Sequence, residues 1–364
     1  MFPYIVIYVC SGIFALCYSK SKDKSASVIF LLLTFFVLFV PAALRYNIGT
    51  DYKNYVRIIS NNLPRHRYTS FEVGWIPVLW LMDNLNLPVH AFFVLIDFTI
   101  LFCLFTVLDK KAFWLCIPIY VSFAYIQSYS LVRQALAATI FLLAVKHWIA
   151  RKYMLTILFG VISFLFHKST VFLCVLLILA NFKWKLLSRR NNCVLVVIIY
   201  LLIDKLKLAS LLMDTIVGNT FYSSYIQSSF NMSTEGSGLG SLFRELLLFV
   251  VVIASSRTVN KWNTSNRLPQ SRLYTVSILF SLAGISFFIL STQIHIFNRL
   301  PCLIIPFLVI TVQCVYRSKY RYRKLALLLL EVGWFFSFVL YIKESLISNP
   351  GGLGITPYQS IFSR

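Results

Sequence analysis

Long apolar runs, each close to the length of a membrane helix and separated by short basic loops, dominate the chain. A helix crossing the hydrocarbon core needs about 20 apolar residues, with roughly 17 to 25 tolerated. The clearest runs are 2 to 19, 27 to 44, 89 to 108, 112 to 127, 129 to 147, 192 to 208, 273 to 291, 297 to 316 and 324 to 343. Shorter ones occupy 153 to 166, 168 to 182 and 241 to 255. Each is expected to be helical, because an open strand in lipid leaves its backbone polar groups unpaired. The pattern predicts an all-α, polytopic membrane protein, with residues 1–364 forming a single integral membrane domain.

Composition sharpens this by exclusion. Of 364 residues 59% are hydrophobic and 13% charged, and the mean hydropathy is +0.78. Soluble domains carry roughly 45–50% apolar and about 25% charged residues, so a cytosolic enzyme, a coiled coil and a disordered tail are all ruled out. The eight cysteines lie in apolar stretches without a C-x-x-C pair and read as small core hydrophobes. The first 19 residues lack a basic n-region and an A-x-A cleavage site, so they read as a retained helix.

The 34 Lys and Arg against 12 Asp and Glu give a formal charge of +22. In a membrane protein such an excess fixes orientation rather than binding nucleic acid, because cytoplasmic loops are rich in Lys and Arg. The clusters Lys20/Lys22/Lys24, Lys110/Lys111, Lys146/Arg151/Lys152, Lys183/Lys185/Arg189/Arg190, Arg257/Lys261/Arg267/Arg272 and Arg317 through Lys324 are accordingly expected inside. Three apolar segments (27 to 44, 71 to 86 and 89 to 108) separate the first two clusters, where parity requires an even number of crossings. Segment 71 to 86 is the weakest, carrying Glu72 near its start and Asp83 near its end, and reads as re-entrant or interfacial. About 12 spans remain, with both termini outside.

Under that topology Arg45, Lys53, Arg57, Arg65, Arg67, Arg133, Lys168, Arg244 and Arg299 share the outer face, where Lys and Arg are normally depleted. Snorkelling to the interface explains any one of them; several together suggest a shared anionic ligand. Phosphate fits, since guanidinium offers it a planar bidentate fork and stays charged when desolvated. The outer carboxylates Asp51, Glu72, Asp214, Glu235, Glu245 and Glu344 are too few to neutralise the set.

Three outer positions are candidate proton acceptors. Asp51 lies in the tyrosine-rich loop from Arg45 to Tyr55, where Tyr52 and Tyr55 suit stacking on sugar rings, although Asp51 or Thr50 could instead cap a helix starting at Tyr52. Glu72 is set among Phe71, Val73, Trp75 and Ile76, an apolar neighbourhood expected to raise its pKa toward the range useful for proton transfer. His167 stands at the tip of a short helical hairpin beside Lys168, with no second ligand at metal spacing. No metal and no cofactor are expected. Asp97, Asp204 and Glu331 lie inside apolar spans and read as structural, each needing a partner or a proton.

The ordered set Arg45-x-x-x-Gly49-x-Asp51-Tyr52-x-x-Tyr55, Phe71-Glu72-x-Gly74, Arg133, His167-x-Ser169, Asn298-Arg299 and Pro357-Tyr358-Gln359-Ser360-Ile361-Phe362 resembles the EpsG family of bacterial polysaccharide polymerases. One departure is Val73, where the resemblance leads one to expect proline in many relatives. The resemblance implies a Wzy-type O-antigen or capsular polysaccharide polymerase in the bacterial cytoplasmic (inner) membrane, with its site facing outward and a fold akin to GT-C. It also implies a glycosyltransferase acting on undecaprenyl-pyrophosphate-linked oligosaccharide, with the bilayer and a chain-length regulator protein as further partners. Arg45, Arg133 and Arg299 would then hold pyrophosphate; Tyr52, Tyr55, Lys168 and Arg244 would contact substrate. Glu72, His167 or Asp51 would take the acceptor proton, and outer loops 45–70 and 209–240 would complete the site. A lipid-linked oligosaccharide flippase and a membrane O-acyltransferase with His167 as base are the competing classes. A flippase would want charge along a path through the bilayer, and an acyltransferase using cytosolic donor would want His167 reachable from inside.

Overall fold

The computed structural model describes residues 1–60, 71–182, 268–293, 299–318, 321–345 and 353–362, together with single helical positions at 195, 198, 199, 202 and 247. Most of the expected spans at 192 to 208 and 241 to 255, all of loop 209–240, and Arg244 lie outside the described residues. Within them the fold is helical, with one isolated β-bridge and no strand. Two compact units emerge: Met1–Val175 with Phe335–Arg364, and Leu176–Trp334.

The first unit opens with α1 (Phe2–Lys20) and α2 (Lys24–Ala43), the latter started by Asp23, whose carboxylate accepts from the Ala26 amide at 2.7 Å. Then come the short amphipathic α3 (Tyr52–Ile59), a 3₁₀ turn (Val73–Trp75), α4 (Ile76–Asn84) and α5 (Val89–Val107). Helix α6 (Phe113–Tyr120) runs through a π-helical turn (Val121–Tyr125) into a last α turn (Ile126–Ser128) before α7 (Val132–Ile149). Helix α8 (Tyr153–Phe166) returns to a 3₁₀ turn (Lys168–Thr170) and α9 (Val171–Leu179). Helices α1, α2, α5 and α7 are long and apolar enough to cross a membrane, as is α12 (Arg323–Glu344). The second unit holds α10 (Leu268–Gln293) and α11 (Pro301–Arg317).

Burial separates these helices. In α7, 72% of the most apolar window is buried, against 22% for α1 and 28% for α2. With nearly every position apolar, amphipathicity carries no information in lipid; α7 is central because its small residues Ala135, Ala137, Ala138 and Ala144 let neighbours approach closely. The nine-residue α4 is about 14 Å long at 1.5 Å per residue, well short of the hydrocarbon core. That agrees with a non-spanning segment at 71 to 86.

The two ends of this unit differ chemically. Lys110 Nζ donates to the Ser21 carbonyl at 2.9 Å and to Ser27 Oγ at 2.6 Å, so the first two basic clusters share one end. Lys146 belongs to that end too, about 20 Å along α7 from Arg133. At the other end Tyr4 Oη donates to the Ile355 carbonyl at 2.6 Å and Tyr358 Oη to the Pro41 carbonyl at 3.0 Å. Tyr4 and the Ile355–Tyr358 stretch therefore both lie at the end of α2 that leads to Arg45.

Candidate functional site

Three elements converge on Glu72. The hook 71–75 is pressed against the end of α8: Trp75 Nε1 donates to the Phe166 carbonyl at 3.0 Å, and a Cβ on Gly74 would lie 2.8 Å from the Leu165 carbonyl carbon and oxygen. Only glycine permits that approach. Phe71 stacks on Tyr55 of α3, ring centroids 6.1 Å apart, which fixes the hook from its other side. His167 follows α8 in extended conformation, its amide donating to the Ser163 carbonyl at 3.0 Å. Arg133 comes from the first turn of α7.

The resulting geometry is a bridged carboxylate. Arg133 Nη1 donates to Glu72 Oε2 at 2.8 Å, and His167 Nδ1 lies 3.0 Å from Glu72 Oε1. Side-chain exposures of 31% for Arg133, 15% for Glu72 and 22% for His167 leave all three partly open. An ionised carboxylate only accepts, so Nδ1 carries a proton and donates. In the neutral ring Nε2 then holds the lone pair, and Ser169 Oγ stands 3.1 Å from it. In its neutral form the imidazole is thereby held in the tautomer whose Nε2 can accept a proton.

The expectation for the Glu72 pKa is corrected here. Burial does push its carboxyl up, but the hydrogen bond from His167 and the charge of Arg133 outweigh burial and hold it below its ordinary value. The sequence showed the apolar neighbours and could not show that Arg133 and His167, 61 and 95 residues away, lie against the carboxylate. A carboxylate held ionised, with both oxygens engaged, is a poor base and a good orienting group.

The remaining expected site residues fall in different places. Arg45 is 0% exposed and paired with Asp97, which is 2% exposed; the same Nη1 donates to the Ala42 carbonyl at 2.6 Å. Its guanidinium lies over the Phe93 and Tyr129 rings at 4.8 and 5.1 Å. In this arrangement Arg45 faces no surface from which it could meet pyrophosphate, and it supplies the partner that Asp97 required. Tyr52 and Tyr55 are 7% and 4% exposed, stacked on Phe93 at 4.7 Å and on Phe71 respectively, so their faces are spent on protein rather than open to sugar. Tyr55 instead borders Arg133, whose Cζ lies 6.0 Å from its ring, and burial pushes the Tyr55 hydroxyl up to about 12. Asp51 sits at the N-cap of α3 without a capping hydrogen bond from its side chain. Lys168 and Arg299 are exposed, Arg299 in the second unit, and Arg244 lies outside the described residues.

A clasp backs this cluster. Gly49 adopts φ +95°, and a Cβ there would meet the Tyr129 carbonyl oxygen at 2.1 Å. Its amide donates to the Gly354 carbonyl at 3.0 Å, while Ser130 Oγ donates to the Leu353 carbonyl at 2.7 Å and accepts from the Thr50 amide at 3.3 Å. Tyr46 N donates to the Gln359 carbonyl and Ile361 N to the Leu44 carbonyl, closing a bridge between Arg45 and Ser360. The first loop, the turn before Arg133 and the C-terminal segment are thus one hydrogen-bonded assembly. Sequence reasoning missed Ser130 as a positioning residue, and named Gly74 and Ser169 only inside motifs. The two-residue spacing of His167 and Ser169 was the available signal.

Residues 28–360 match the sequence model of the EpsG family. The chain belongs to the EpsG family. The match takes in every motif position from Arg45 to Ser360, hence the whole of the Glu72 cluster and most of the C-terminal clasp of this EpsG-family protein. Neither the curated proteins nor the solved structures yielded a match.

Proposed function

We propose that this EpsG-family protein is a Wzy-like polysaccharide polymerase. It transfers a growing glycan from undecaprenyl pyrophosphate to a sugar hydroxyl of a lipid-linked repeat unit at the outer face of the bacterial cytoplasmic membrane. The observation that carries the reading is the Arg133–Glu72–His167 cluster, at the end of the helices remote from the Lys20–Lys24 and Lys110–Lys111 loops. Family membership supports the polymerase class.

In this reading His167 is the general base and Glu72 the group that holds its tautomer and stabilises the imidazolium formed. Arg133 gives one nitrogen to Glu72 and a further hydrogen bond to the Tyr55 side chain, and at 31% exposure the guanidinium still offers part of its fork to the leaving group. As the anomeric carbon parts from the pyrophosphate oxygen, charge grows on that oxygen, and a preplaced guanidinium stabilises it more than it stabilises the ground state. Arg299 and Lys168, both exposed, are further candidates for pyrophosphate and substrate contact. The expected result of a clean deletion is single repeat units on a gel of cell-surface polysaccharide in place of a long ladder. An unchanged ladder would overturn the reading.

A further inference from the structure

Both ring nitrogens of His167 are occupied by protein, Nδ1 by Glu72 at 3.0 Å and Nε2 by Ser169 Oγ at 3.1 Å. A substrate hydroxyl therefore reaches the imidazole either by displacing Ser169 or through it. The backbone that carries Ser169 is tightly held. Its 3₁₀ turn is closed by the Thr170 amide donating to the His167 carbonyl at 3.1 Å, and by Thr170 Oγ1 donating to the same carbonyl at 2.9 Å. Thr170 is itself 0% exposed, and α9 begins at the next residue, so the backbone of the turn is held and the hydroxyl leaves Nε2 only by rotation of the Ser169 side chain itself.

We infer that Ser169 is a catalytic residue of this site, the proton relay between the acceptor sugar hydroxyl and His167. The inference rests on the polymerase reading above and adds the atom that touches the acceptor. The acceptor O–H bond breaks and its proton passes to Ser169 Oγ, while the Ser169 proton passes to His167 Nε2. The freed oxygen pair forms the new bond to the anomeric carbon, and the bond from that carbon to the pyrophosphate oxygen breaks with its electrons leaving on the phosphate. The imidazolium that results faces the Glu72 carboxylate at Nδ1; Arg133 lies beyond that carboxylate, and Lys168 is the neighbouring cation in the turn. A hydroxyl is well suited here because it donates and accepts at once.

The test uses the full-length protein in liposomes, supplied with lipid-linked repeat units extracted from the deletion strain. Ser169→Ala is expected to lower turnover by at least about tenfold, part of the 10²–10⁴ range of general-base catalysis, with the half-saturating substrate concentration unchanged. Ser169→Thr, which keeps a hydroxyl, is expected to recover most of the rate. Normal turnover in Ser169→Ala, beside an inactive His167→Ala, would overturn the relay while leaving His167 as base. Normal turnover in both variants would overturn the base assignment as well. Covalent labelling of Ser169 by a fluorophosphonate, absent in His167→Ala, would replace the relay with a serine nucleophile.

Discussion

Replacing Glu72 with glutamine removes one charge with almost no change of shape, and the geometry specifies the consequence. The carboxylate accepts twice, from Arg133 Nη1 at 2.8 Å and from His167 Nδ1 at 3.0 Å. A carboxamide can accept at only one of those positions. If its oxygen faces Arg133, its NH₂ meets His167, the ring proton moves to Nε2 and the lone pair leaves the Ser169 side. If its oxygen faces His167, its NH₂ opposes the guanidinium, donor against donor. The first arrangement keeps the charge-assisted bond, the stronger of the two kinds, so the wrong tautomer prevails. An acid-to-amide change beside a catalytic imidazole costs about 10⁴ in serine proteases. Here Glu72→Gln is expected to lower turnover by roughly 10²–10⁴, about 3–5 kcal/mol of barrier. The assay is single-turnover elongation by purified protein in liposomes, with thermal unfolding in detergent as the folding control. In the proposed division of roles Glu72 acts through the ring, so His167→Asn is expected to cost as much, and the double variant no more than either single one. A His167→Asn protein that is much faster than Glu72→Gln would refute this division of roles and return the carboxylate to the position of base.

Four further outcomes rest on the same contacts. Arg133→Lys is expected to insert normally and lose most elongation activity, because a point charge does not reproduce the bidentate fork that the proposed phosphate contact needs beside Glu72; ladders of wild-type length in that strain would show Arg133 to be an interfacial charge. Asp97→Ala strands a buried guanidinium and should destabilise the protein by about 3–5 kcal/mol, read as a lower unfolding temperature in detergent. Glu72 has a lowered folded pKa, so its contribution to stability is present above the ordinary carboxylate value of 4.5 and is lost as pH falls through the lower folded value; Glu72→Gln should flatten that acid limb of the unfolding curve. A cysteine at Asn54, on the exposed side of α3, should react with an impermeant thiol reagent in intact cells lacking the native cysteines, and reaction only after permeabilisation would put the cluster on the other side.

The lengths of apolar runs located α1, α2, α5, α7 and α12 to within a few residues, since in lipid the hydrocarbon thickness sets both the element and its size. Charge parity singled out 71 to 86 as non-spanning, and the short α4 agrees. The count of twelve spans goes beyond the described residues. Less was legible in the site. Glu72, Arg133 and His167 were each named as members of one outer site but not as partners of one another, because pairing across 61 and 95 residues is decided by helix packing that an all-apolar pattern does not encode. Arg45 and Asp97 show the same limit from the opposite direction: one was assigned to a ligand and the other to structure, and they are partners. Tyrosines 52 and 55 follow a spacing that α3 turns inward, onto Phe93 and Phe71.

The most direct test of the central claim is to supply the purified protein in liposomes with lipid-pyrophosphate-linked repeat units and to count products. The account predicts a ladder of glycans, with one undecaprenyl pyrophosphate released for each linkage formed, and both products lost together in Arg133→Lys and His167→Asn. Repeat units that cross the bilayer but never lengthen, or lengthening without release of lipid pyrophosphate, would contradict it.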